Sequence, residues 1–237
     1  MRNRVYLVRK MQMETSSQQK ALTAAHEDYL KAIYQLASQD VKVNNSALAQ
    51  QLRVSPASTT NMVKRLAELG LVVYEPYQEI ALTDAGQKVA LEVLRHHRLL
   101  ELYLHQKLNL PWDQVHDEAE RLEHVISEAL EDAIAQALGN PTTDPHGDPI
   151  PTKEGHVELV YGIPLTMGEA NQHYRMVRVL LQDQERLAYL GTLGLHPGAE
   201  LTLRKVSPFK GPLVVETRGE EHAIAYEMAE ALVVAAV

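Results

Sequence analysis

Between His97 and His124 the chain sets four imidazoles, His97, His105, His116 and His124, among the carboxylates Glu101, Glu118, Glu120 and Glu123. Residues three or four apart share one face of a helix. His97 and Glu101 are so spaced, as are His116 and Glu120, and Glu120 and His124, with Glu123 three after Glu120. One helix is therefore expected to project Glu120, Glu123 and His124 towards a single point. Carboxylates gathered in this way raise one another's pKa unless a cation compensates. A divalent metal is the economical partner for this mixture of nitrogen and oxygen donors. A solvated charged surface is the bland alternative, and a metalloenzyme the other. The HExxH signature is absent, and "ERLEH" departs from HxxEH because position 120 is Glu. No nucleophile–base set or Gly-rich phosphate loop stands out, so the expectation is a metal site without an enzyme.

These side chains need helices to hold them. Leu30, Ile33, Tyr34 and Ala37 make one stripe of an amphipathic helix over 26–38. A short helix over Ala47–Leu52, capped by Ser46, precedes the tight turn "RVS". A second begins at Pro56 with Ser55 as cap, points Met62, Val63, Leu66 and Leu69 inward, and stops at Gly70. "LVVYEPYQEIALT" reads as strand, turn and strand, the turn lying at Pro76–Gln78. Thr83 caps a helix from Asp84 to Leu108, "NLP" breaks it, and a further helix spans Trp112 to Leu138. "GNPTTDPHGDPIP" cannot continue a helix. After a linker, short strand-like runs from Gly168 onward suggest a small β-barrel.

Two short helices joined by a tight turn and followed by a hairpin describe a winged helix-turn-helix, whose second helix enters the DNA major groove. Its solvent face offers Ser55, Ser58, Thr60, Asn61, Lys64 and Arg65, donors for base edges and phosphates. The 237-residue chain has a net charge of −8, which argues against a constitutive nucleic-acid binder. The acid is local: residues 113–132 carry eight acids against Arg121 alone, whereas residues 1–20 are basic. There is no cysteine, which excludes thiolate ligands and makes a cytoplasmic location the simplest expectation. No apolar run approaches the roughly 20 residues needed to span a bilayer, and no signal peptide is read at the N-terminus.

The chain resembles the diphtheria toxin repressor family of metal-dependent transcriptional regulators. The resemblance is carried by "EDYLKAIYQL", "LAQQLRVSPASTTNMVKRLAELGLV", "LTDAGQKVA", "HRLLELYL", "VHDEAERLEHVISE" and "GNPTTDPHGDPIP". It implies a fold that is mainly α with a small β-domain. The parts would be a winged helix-turn-helix domain over 1–83, a helical metal-binding and dimerisation domain over 84–152, a linker over 153–167, and an SH3-like C-terminal domain over 168–237. It also implies a homodimer on a double-stranded operator and two metal sites per subunit. The primary site would match Asp28, Glu120, Glu123 and His124. The ancillary site would match His97, Glu101 and His116, with an oxygen ligand from "LLQDQER", Asp183 first and Gln184 next. The iron-responsive branch has Met and Cys where this chain has Asp28 and Glu120, and the manganese-responsive branch has carboxylates at both. Hard oxygen ligands suit Mn(II), so an Mn(II)-activated regulator of metal homeostasis is expected, with Fe(II) as the alternative. Lys31 departs from the manganese pattern, because some of those regulators carry a second carboxylate there. Metal joining Asp28 to the other helices would order the DNA-reading elements as a population shift.

Overall fold

Thr23 opens the first helix: its hydroxyl accepts from the His26 amide, while the His26 ring takes the Thr23 amide in return at 3.1 Å. This reciprocal cap starts α1 (Ala24–Ser38), two residues earlier than expected. The computed structural model describes residues 22–39, 41–76 and 78–237, so the basic stretch 1–20 and Tyr77 of the expected wing turn lie outside the described residues. Two units form, Met1–Ala90 and Leu91–Val237.

In the first unit, Tyr29, Leu30, Ile33 and Leu36 of α1 are buried. The helical period brings Leu36 rather than the expected Ala37 into the core, and Ala37 is exposed. Helix α2 (Asn45–Gln51) is capped by Asn44 instead of Ser46, because the Asn44 side-chain Oδ1 accepts from the amides of both Ser46 and Ala47, at 2.9 and 3.0 Å. Arg53, at φ 54°, turns the chain into α3 (Pro56–Glu68), where Ser55 accepts from the Ser58 amide at 3.1 Å. Val63 and Leu66 are buried, with Met62 and Leu69 partly buried against the same core. Strands β1 (Val72–Val73) and β2 (Ala81–Leu82) pair antiparallel as a very short wing. Thr83 then accepts from the Gly86 amide at 3.1 Å and starts α4 (Asp84–Leu108).

In the second unit, the expected single helix from Trp112 to Leu138 is two: α5 (Val115–Leu122) and α6 (Glu128–Ala137). The break has a local cause. Ser127 takes up an extended backbone and its hydroxyl accepts from the Leu130 amide at 3.3 Å, so a new helix nucleates there instead of the old one continuing. Leu99, Leu102, Ala119, Ile134 and Ile150 pack the helices together.

The C-terminal part carries six strands, β3 (Ile163–Pro164), β4 (Gln172–Val179), β5 (Glu200–Val206), β6 (Leu213–Thr217), β7 (Glu220–Ile224) and β8 (Leu232–Ala236). They form an antiparallel sheet in the order β3-β8-β4-β5-β6-β7. Tyr174 and Met176, Leu201 and Leu203, Leu213 and Val215, and Leu232 and Val234 alternate into one core. The fold is thus mainly α with a C-terminal SH3-like sheet domain. Three details differ from the sequence reading. Ile163 already pairs with β8, so the sheet begins before Gly168. Helix α7 (Gln184–Thr192) lies where the sequence reading named no element. In "HAIAYEM" (222–228), one of the runs read as strand-like, the strand gives way to α8 (Tyr226–Glu230). Among the described residues no helix is long and apolar enough to cross a membrane.

Replacing Ser127 by Ala is expected to lower stability by about 1 kcal/mol, whereas Ser127→Asp, which retains a capping oxygen, should not. Denaturant midpoints measure both; an unchanged midpoint for the Ala variant would show that the break between α5 and α6 does not depend on this cap.

Candidate metal centre

His97 and Glu101 lie one turn apart on α4, and His116 faces them from the first turn of α5. His97 Nε2, Glu101 Oε1 and His116 Nδ1 form a triangle with sides of 3.0, 3.1 and 3.1 Å. An octahedral ion with bonds of about 2.1 Å sets neighbouring ligand atoms about 3.0 Å apart. The triangle therefore fits one face of such a coordination shell. His97 is oriented from its other edge: Nδ1 lies 2.5 Å from Glu123 Oε2. Without a metal, Nε2–H donates to Glu101; with one bound, Nδ1–H would stay on Glu123 while Nε2 would give up its proton to offer a lone pair, the arrangement commonly seen in metal-ligating histidines.

The two expected sites are thus joined through one imidazole. Glu123 ends α5 and is 1% exposed; one oxygen meets His97 and the other lies 3.3 Å from His124 Nε2. Because the helix stops at Leu122, Glu120, Glu123 and His124 do not share the face of a continuous helix. Glu120 is exposed, 3.9 Å from His116 Nε2, and converges with His97 and Glu123 instead. Asp28 lies half-buried on α1, and Lys31 of the same helix is buried. His105 bonds the Leu110 carbonyl at 2.9 Å and takes no part.

Asp183 stands elsewhere. It caps α7, accepting from the Arg186 amide at 2.9 Å, and joins no metal-competent group among the described residues. The additional donors beside Glu101 are Asp144 and His146, which the sequence reading missed. Their signal, "DPHGD", sits inside a Gly/Pro-rich turn that was read as a helix terminator and as part of the family resemblance, with no ligand role. His146 Nε2 lies 2.9 Å from the Trp112 carbonyl, which can only accept, so Nε2 carries a proton; Nδ1 faces Glu101 Oε2 at 3.8 Å, an ion-pair distance that a small side-chain shift would close to a hydrogen bond. Asp144 Oδ1 accepts from the amides of His146 and Asp148, at 2.8 and 2.9 Å. Arg98 flanks Asp144 and Asp148 and donates to the Pro149 carbonyl. The loop docks on β4, where the Val179 amide donates to the His146 carbonyl at 2.8 Å. Gly147, at φ 83°, makes the approach possible, since a Cβ there would stand 2.1 Å from the Val177 carbonyl oxygen.

Burial works to raise the Glu101 pKa, but the charge of His97 and hydrogen bonds from His116, His146 and His97 outweigh it and hold the carboxyl well below its usual range. Burial, with the charges of Glu101 and Asp148, pushes Asp144 well above its usual range against the pull of His146 and Arg98. Burial also opposes the charged form of His146, yet its hydrogen bond to Glu101 and the charges of Glu101 and Asp144 raise it to about 9. A further convergence of Glu92, His96 and Glu128 differs in kind. Its imidazole is already engaged, by the Glu123 carbonyl at 3.1 Å and Glu131 Oε2 at 3.2 Å.

On α3, the expected DNA-facing residues divide. Ser55 and Ser58 bond each other at 2.9 Å, Thr60 bonds the Pro56 carbonyl at 2.9 Å and accepts from Asn45, and Arg65 pairs with Glu68 at 2.8 Å. Asn61 and Lys64 stand exposed on the same helix.

Three family descriptions cover most of the chain. "Iron dependent repressor, N-terminal DNA binding domain" matches residues 21–80, "Iron dependent repressor, metal binding and dimerisation domain" matches 83–152, and "FeoA domain" matches 163–236. The iron-dependent repressor IdeR of Mycobacterium tuberculosis is 34% identical over 221 residues, covering 87% of this chain and 94% of that protein. The chain belongs to the diphtheria toxin repressor family. The diphtheria toxin repressor of Corynebacterium efficiens is 30% identical over 232 residues, covering 90% and 99% of the two chains. Among solved structures, a manganese-dependent transcriptional repressor in complex with manganese superposes with a TM-score of 0.81 at 33% identity, covering 90% of this chain and 100% of the other. The manganese regulator SloR superposes at 0.73 with 31% identity, covering 90% and 98%. Membership of the diphtheria toxin repressor family places the chain among metal-dependent DNA-binding repressors and not among enzymes.

His146 carries a pH consequence for this family member. Its pKa in the folded protein, about 9, lies above the ordinary value of 6.5. The stabilisation is therefore complete below about 6.5 and lost as pH rises through about 9, an effect on the order of 3 kcal/mol in the metal-free protein. The metal-free melting temperature should fall across that window, and the fall should be smaller in His146→Ala. Parallel pH curves for the two proteins would contradict this.

Proposed function

We propose that the chain is a homodimeric, Mn(II)-activated repressor acting in the cytoplasm, where its operator DNA lies, on genes of metal-ion uptake. The observation that carries this reading is the donor triangle of His97, Glu101 and His116, anchored through His97 to Glu123. Bound there, a divalent ion supplies the positive charge that holds these donors together. We assign Asp144 and His146 to the Glu101 side of the centre, Glu120 and His124 to the Glu123 side, and Asp28 as a ligand on the family resemblance alone. Asp28 lies on α1, which packs against α2 and α3, so its engagement would bias the first unit towards DNA-competent states. Asn61 is assigned to base edges and Lys64 to phosphate, with Ser55, Ser58, Thr60 and Arg65 as supporting groups around them. Leu122, Val125 and Leu130 stand exposed along α5, the turn and α6. They favour the dimer that the matched description of this region also names.

Manganese is preferred because the donors are oxygen and imidazole nitrogen, and the chain has no cysteine to supply a thiolate. Intrinsic affinity rises towards Cu(II) and Zn(II), so geometry and metal supply must set the selection. Fe(II) is the second reading, favoured by the likeness to IdeR.

Mn(II) should tighten operator binding at least about tenfold over chelator, or about 1.4 kcal/mol of coupling; equal retention in both would overturn the reading. Glu101→Gln should remove the response. Lys64→Ala should weaken binding across sequences and reduce the salt slope by about 1. A metal series decides between the ions: if Fe(II) activates the parent better than Mn(II), the second reading replaces the first. The pair Asp28→Met and Glu120→Cys should shift the ranking away from Mn(II).

A further inference from the structure

Two neighbouring imidazoles hold Glu123 at its two ends. His97 meets the carboxylate, with Nδ1 2.5 Å from Oε2, and His96 meets the main chain, with Nδ1 3.1 Å from the Glu123 carbonyl oxygen. The second contact answers a specific need. Helix α5 ends at Leu122, and the last carbonyls of a helix have no partner within it. A carbonyl only accepts, so the His96 Nδ1–H donates.

His96 is itself held. Its Nε2 lies 3.2 Å from Glu131 Oε2, on the first turn of α6, and the other Glu131 oxygen takes Arg95 Nε at 2.5 Å. Arg95 continues to the Pro151 carbonyl at 2.8 Å. His96 and Glu131 are 7% and 2% exposed. The contacts thus run without a gap from Pro151 through Arg95, Glu131 and His96 to the backbone of Glu123, passing on both sides of the turn that carries Glu123 and His124. Nothing in this series reaches the donor triangle directly.

We infer that His96 is a positioning residue for Glu123: its Nδ1–H fixes the backbone of the α5–α6 turn so that the Glu123 carboxylate meets His97. The inference rests on the metal-binding reading above. Partners that orient ligands in this way typically contribute about 10–100-fold to metal affinity.

Two substitutions separate positioning from mere burial of an ion pair. His96→Asn sets an amide N–H near the place of Nδ1, keeping the bond to the Glu123 carbonyl, but is too short for Glu131. His96→Gln reaches Glu131 and gives up the Glu123 carbonyl. Mn(II) affinity is measured by calorimetry on the full-length dimer, and hydrogen exchange of residues 124–127 on the metal-free protein. The expected result is about 10–100-fold weaker Mn(II) binding and faster exchange in the Gln variant, with the Asn variant near the parent in both. Parent-like affinity and exchange in the Gln variant, or the reverse order of the two variants, would overturn the inference. If the Asn variant does not fold, Glu131→Gln, which keeps an acceptor for Nε2, replaces it and should resemble the parent. A parent that binds no Mn(II) would instead overturn the functional reading, while the exchange comparison would still decide whether His96 holds the turn.

Discussion

A carboxylate that is 2% exposed and still ionised needs compensating charge from its surroundings, because removing an ion from water costs several kcal/mol. Glu101 is that carboxylate. His97 and His116 take one of its oxygens and His146 faces the other. Each imidazole comes from a different part of the chain: α4 itself, the start of α5, and the loop after α6. The constraint explains why those segments must meet. It also explains why the loop bearing His146 is fastened by Arg98, by the Trp112 carbonyl and by the backbone of β4. A loose loop would leave a buried charge without part of its compensation.

The sheet domain therefore does more than follow the metal-binding region in sequence. Its longest strand supplies the floor on which Gly147 rests, and the register shift between Met176 and Arg178 lies at that point of contact. A bulge re-aims a strand locally. Here it accompanies the close approach of a loop whose next-door residue faces Glu101. Changes in the sheet can thus reach the metal-binding donors through backbone contacts alone.

Much of this was legible in the sequence. The helix-turn-helix, the extent of α4 and the pairing of His97 with Glu101 follow from caps and from i,i+4 spacing, which are local rules; His116 was set beside them only by the family resemblance. The unread parts depend on non-local contacts or on competing local ones. Periodicity ran straight through Glu123–Ser127, because acidic and apolar spacing continues there; only the capping hydroxyl of Ser127 marks the break. Asp144 and His146 were hidden because Gly and Pro dominate their neighbourhood and nothing in the spacing ties position 146 to position 101. Asp183 came from the family resemblance alone, and its carboxylate caps a helix. Similarly, Ser55, Ser58, Thr60 and Arg65 carry suitable groups for DNA, but their bonds within the helix and to α2 are visible only in three dimensions.

The donor set is not uniformly deep. Glu101 and Glu123 are almost fully enclosed, His116 is partly open, and Glu120 stands at the surface. On the proposed function, a hydrated cation would meet the rim before the interior. Its arrival would be favoured by the exposed carboxylate and its long-range attraction, which salt screens, and its departure would be opposed by the enclosed pair. Loading and release would then fall to different residues, and a sensor so built would respond quickly to rising metal and forget it slowly.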